Sequence, residues 1–67
     1  MDMSELKVFI RLPAVMTATG LARPTIYKKI KAGTFPAPIR ISANAVAWDA
    51  GAIAEWQAKC ISEAAKR

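Results

Sequence analysis

The residues of this 67-residue chain that could do chemistry crowd into one short stretch: Arg23, Thr25, Tyr27, Lys28, Lys29 and Lys31. They are hydrogen-bond donors and cations, with no histidine, cysteine or carboxylate among them. Lysines neutralise phosphates and release counterions, while shorter donors such as threonine reach base edges. The set therefore suits the grip of a polyanion better than the turnover of a substrate.

The rest of the chain supports that emphasis. Net charge is +5, and the acids are Asp2, Glu5, Asp49, Glu55 and Glu63, so nothing from Leu6 to Trp48 is acidic. The same span carries Lys7, Arg11, Arg23, Lys28, Lys29, Lys31 and Arg40. A basic face kept for solubility would explain the net charge but not the exclusion of acids from the middle. Catalysis is not expected, because the chain has no histidine and no paired carboxylates near a predicted cleft. Cys60 is the single cysteine, so neither an internal disulfide nor a zinc cluster can form, and it reads as a small core residue. No cofactor and no metal are expected. There is no apolar run of membrane-spanning length and no leader pattern at the start, so no membrane partner is expected and a cytoplasmic, nucleoid-associated location is.

The elements that must position the basic stretch can be read from glycine, proline and apolar spacing. Residues 1–7 read as a flexible arm and residues 8–67 as a single small domain with one thin core. Val8-Phe9-Ile10-Arg11-Leu12 is β-prone and predicts an edge strand. Pro13 opens a first helix, along which Leu12, Val15, Met16 and Thr19 recur at helical spacing until Gly20. The connection Gly20-Leu21-Ala22 has helix-turn-helix length, with Leu21 as an apolar plug. A second helix follows, with Pro24 in its first turn and Gly33 at its end. Ile26 and Ile30 give it an inward stripe, leaving Thr25 and Lys28 outward, with Lys29 and Lys31 placed to meet phosphates. Such a short helix needs a scaffold.

Tyr27 lies to the side, where it can donate its hydroxyl to a phosphate or pack against the following hairpin. Arg23 falls nearer the inward side, able either to contact DNA or to lie over Phe35 or another apolar edge. Phe35 is a predicted anchor, and Pro36 and Pro38 forbid further helix. In the hairpin, Ile39 and Ile41 alternate with Arg40, and Val46 and Trp48 with Ala47. A loop over Ser42-Ala43-Asn44-Ala45 would set Ile41 opposite Val46, Ile39 opposite Trp48, and Arg40 opposite Ala47 on the solvent face. Asn44, at the tip, can reach a minor groove or simply suit a tight turn. Asp49 is the expected N-cap of a last helix with the stripe Ile53, Trp56, Cys60 and Ala64, and Ile61 alongside. Trp48 and Trp56 both read as core. Without heptads extending the last helix, a monomer is expected in solution, with side-by-side cooperativity on DNA.

Two helices, a hairpin and a further helix make the plan of a small α+β, mainly α, winged helix-turn-helix with three helices and a β-hairpin wing. The runs Phe9-Ile10-Arg11-Leu12-Pro13-Ala14-Val15 and Thr19-Gly20-Leu21-Ala22-Arg23-Pro24-Thr25-Ile26-Tyr27-Lys28 resemble the AlpA family of prophage regulators. The resemblance continues through Gly33-Thr34-Phe35-Pro36-Ala37-Pro38-Ile39-Arg40-Ile41, Val46-Ala47-Trp48 and Ile53-Ala54-Glu55-Trp56. Ala22 stands where that family usually has serine, and the wing positions Asn44 and Ala47 where basic or glycine residues are common. The resemblance implies a MerR-like and excisionase-like fold. It also implies a small double-stranded-DNA-binding protein that regulates transcription in a prophage or mobile element. An excisionase assisting an integrase is the nearest alternative, and an adaptor that binds protein but not DNA is the alternative of another class. The predicted DNA-contacting set is Arg23, Pro24, Thr25, Tyr27, Lys28, Lys29, Lys31, Arg40 and Asn44, with an integrase or neighbouring copies of the chain as further partners.

Overall fold

A computed structural model of the protein describes residues 6–66. Residues 1–5 and 67 lie outside the described residues, and with them most of the arm expected over 1–7. The elements run β1 (Phe9–Ile10), α1 (Leu12–Thr19), α2 (Arg23–Ala32), β2 (Ile39–Ser42), β3 (Ala45–Asp49) and α3 (Ala50–Ala65).

Helix ends fall where the backbone demands them. Pro13 and Pro24 occupy the first turns of α1 and α2, where a missing N–H leaves no bond unmade. Gly20 closes α1 with φ 73°, its N–H donating to the Met16 carbonyl at 2.8 Å. Gly33 closes α2 with φ 79°, donating to Ile30 O at 3.1 Å while Thr34 N–H reaches Lys29 O at 2.9 Å. That pair of bonds is a Schellman motif and satisfies carbonyls the helix would otherwise leave open. Asp49 caps α3, its Oδ1 accepting from Gly51 N–H at 3.1 Å.

The strands form one antiparallel sheet in the order β1-β3-β2. Five buried side chains meet in the core: Val15 from α1, Ile26 from α2, Phe35 from the segment after it, Trp48 from β3 and Ile53 from α3. Ile10, Leu12, Met16, Leu21, Ile30 and Trp56 pack around them. Both tryptophans thus serve the interior, and Leu21 is the plug expected of it.

Two expectations are corrected. Ser42 pairs with Ala45, in the expected register, but Ile39 pairs with Ala47 and Arg40 with Val46, one residue out of it, with Ile41 as an extra residue between the paired positions. Its turn is only Ala43-Asn44, and among the described residues only Gly20 and Gly33 have positive φ. A primed two-residue turn needs positive φ and matches strand twist without help. The turn here lacks it, and the bulge at Ile41 takes up the mismatch. A slip of one residue exchanges faces, so Arg40 shares the Val46–Trp48 side and Ile39 the Ala47 side. Ile39, Ile41 and Val46 stay substantially exposed.

The other correction concerns α3. Ile53 is buried and Trp56 and Gln57 half-buried, but Cys60, Ile61 and Ala64 are exposed. At 1.5 Å rise per residue the helix outruns the thin core, and its apolar stripe continues past anything that could cover it.

Candidate nucleic-acid interface

The basic helix is fixed from beneath and at both ends. Ile26 is fully buried and Ile30 half-buried, which sets the rotation of α2 about its axis. At its entry, Thr19 Oγ donates to Val15 O at 2.8 Å and accepts from Leu21 N–H at 3.3 Å, so one hydroxyl organises the turn between the helices. At its exit, Trp48 Nε1 donates to Pro36 O at 3.0 Å and Trp56 Nε1 to Thr34 O at 3.2 Å. Phe35 sits between them in sequence and meets the Trp56 ring edge-on at 5.1 Å. Farther back, Gln57 Nε2 donates to Ala18 O at 2.8 Å, tying α3 to the end of α1. Sequence reasoning missed Thr19 and Gln57 as supports, because a lone threonine or glutamine carries no spacing signal that names its partner.

Pro24, Thr25, Lys28 and Lys31 are all exposed. Their spacing puts them on the side of α2 opposite the Ile26–Ile30 stripe, with Lys28 near its centre. Arg23 and Tyr27 flank this face on the side of the hairpin. Tyr27 meets Trp48 edge-on, with ring centroids 6.4 Å apart and planes at 66°. Of the two expectations for Tyr27, its ring packs against the hairpin, while 39% of the residue stays exposed. Arg23 is exposed and lies over Tyr27, not Phe35, with Cζ 5.9 Å from the ring centroid.

Lys29 is turned to the other flank. It is half-buried and, with Phe35, Trp56, Glu55, Lys59 and Glu63, lines an open groove of about 630 Å³ between the end of α2 and α3. It is therefore separated from the Lys28 face. At the wing, Arg40 folds onto its own turn, Nε donating to Ser42 O at 3.4 Å and Nη2 to Ala43 O at 3.0 Å. The guanidinium so closes off carbonyls of the bulged turn while remaining exposed. Asn44 is exposed within the turn itself. The residues expected to contact DNA thus fall into a central face (Pro24, Thr25, Lys28, Lys31), an aromatic-backed flank (Arg23, Tyr27), an isolated Lys29, and a wing tip (Arg40, Asn44).

Among the described residues, no group of three or more His, Cys, Asp or Glu side chains is placed to hold a metal ion. No described helix is long and apolar enough to cross a membrane.

Comparison with known proteins places the chain in a family. The family profile described as prophage CP4-57 regulatory protein (AlpA) matches residues 8–61, from the start of the sheet into α3. The chain is also similar to the uncharacterized protein ORF88 of Enterobacteria phage P4, with 40% identity over 50 residues. The match covers 75% of this chain and 57% of that phage protein, so the chain spans little more than half of its relative's length. No solved structure matches.

Proposed function

The chain belongs to the AlpA family of prophage regulatory proteins, and on that premise we propose that it binds double-stranded DNA selectively and regulates transcription in a prophage or related element. One observation carries the reading: α2 presents Thr25, Lys28 and Lys31 to solvent on a helix whose opposite side is anchored by Ile26, within a span free of acids. A helix of this width fits a major groove, which is about 12 Å across. Thr25 would meet base edges there, and Lys28 and Lys31 the phosphates on either side. Lys29 would contribute to the general positive potential from its flank, and the Tyr27 hydroxyl would donate to a phosphate. Arg40 and Asn44, exposed towards the tip of the wing, would lie at the neighbouring minor groove.

The test is a fluorescence-anisotropy titration on duplexes enriched from a random-sequence pool, repeated across salt concentrations. Affinity is expected to fall with a log–log slope of about −0.9 per phosphate contacted. Thr25→Ala and Lys28→Ala should each weaken binding to the enriched duplex roughly tenfold. Specific affinity that survives both substitutions would remove α2 from the interface. Absence of duplex binding, with salt-insensitive capture of a protein, would make the chain an adaptor. Footprints locate the role: sites overlapping a promoter support regulation, whereas direct repeats at an attachment site would assign the protein to excision beside an integrase.

A further inference from the structure

The start of α2 sets aside several local preferences together. Its N-cap is Ala22, which makes no side-chain hydrogen bond, and its first turn holds no acidic residue. Its first residue is Arg23, a cation at the positive end of the helix dipole.

Nor is the cation left loose. Arg23 Cζ lies 5.9 Å from the centre of the Tyr27 ring, and that ring meets Trp48 edge-on at 6.4 Å. Trp48 is fully buried, and its Nε1 is tied to Pro36 O at 3.0 Å. A line of contacts therefore runs from the core to the surface, Trp48 edge-on to Tyr27 and the Tyr27 ring beneath the Arg23 guanidinium. A cation–π contact holds the guanidinium by its charge and consumes none of its N–H donors. Two such donors, side by side, match O6 and N7 of guanine in the major groove. First-turn residues of a reading helix are the ones that reach base edges, and the lysines lie farther along α2.

We propose that Arg23 reads a guanine in the major groove and that Tyr27 is the positioning residue that holds it ready. This rests on the DNA-binding function proposed above. The experiment compares the consensus each protein enriches from a random-sequence duplex pool, for the wild type, Arg23→Lys, Tyr27→Leu, Tyr27→Phe and the double variant Arg23→Lys/Tyr27→Leu, with circular dichroism confirming that each is folded.

The wild-type consensus should contain one guanine whose preference drops roughly tenfold in Arg23→Lys. The salt slope should stay the same, because lysine keeps the charge. Tyr27→Leu should weaken the preference at that same position. Tyr27→Phe should keep it, since the ring remains whatever the hydroxyl adds to affinity. In the double variant, loss of the ring should subtract nothing beyond Arg23→Lys. An unchanged consensus in Arg23→Lys overturns the proposal and makes Arg23 a phosphate contact. A Tyr27→Leu effect spread evenly over all positions overturns the positioning role. A wild type that enriches no duplex sinks both this inference and the DNA-binding function, so the two failures are distinguishable.

Discussion

Trp48 carries more of this molecule than its volume suggests. It is fully enclosed, it backs Tyr27, and its indole N–H is the donor that Pro36 O uses. Trp48→Phe would keep most of the packing but leave that carbonyl without its partner, and a loss of about 1–3 kcal/mol is expected in urea denaturation. Ile26 acts by shape alone: it is fully buried under the exposed face of α2. Ile26→Ala should cost about 2–5 kcal/mol, most of the net stability of so small a domain, and give a largely unfolded circular-dichroism spectrum at 25 °C. Lys28, exposed at the middle of the opposite face, should show the reverse pattern. Lys28→Ala is expected to leave the denaturation midpoint within error while reducing the magnitude of the salt slope of duplex binding by about one.

At the scale of elements, the caps offer contrasting tests. Ala22→Ser restores the side-chain oxygen α2 lacks and should raise stability by about 1 kcal/mol. Gly33→Ala should lower it by about 1 kcal/mol. An added Cβ there meets nothing within 4 Å, so the loss comes only from holding alanine at φ 79°. These helix boundaries were legible in the sequence because glycine, proline and aspartate act locally: Gly20, Gly33, Pro13, Pro24 and Asp49 do in the structure what their chemistry predicts. The hairpin register was not. Alternation of Ile39, Ile41, Val46 and Trp48 suggested a face, but the pairing was decided by an Ala43-Asn44 turn without positive φ and the bulge it needs at Ile41. Nor did the stripe on α3 reveal where the core stops, since periodicity marks a face and not the reach of what covers it. Of the candidate site, the exposure of Thr25 and Lys28 followed from the wheel. The groove that sets Lys29 apart depended on tertiary neighbours that spacing does not name, whereas the contact of Arg23 with Tyr27 is an i,i+4 pair that helical spacing contained.

For the whole molecule, the division is between a braced half and a bare one. Val15, Ile26, Phe35, Trp48 and Ile53 meet in one cluster, while everything in α3 from Ala58 to Ala65 is exposed. Amide exchange should therefore be slowest around α2 and the first turns of α3, and fast beyond Gln57. Cys60 should react with a thiol reagent in the native protein about as fast as in denaturant, whereas a buried thiol would be shielded. The braced half has its own consequence. Indole N–H bonds clamp the chain leaving α2 at Thr34 and Pro36, and the Thr19 hydroxyl clamps the chain entering it. With no slack on either side, the helix would meet the DNA proposed above as a finished shape. Free and bound backbones should superimpose, and little ordering entropy is forfeited on association. Calorimetry over a range of temperatures should then return a heat-capacity change accounted for by contact area alone, with none of the excess that segments folding upon arrival contribute.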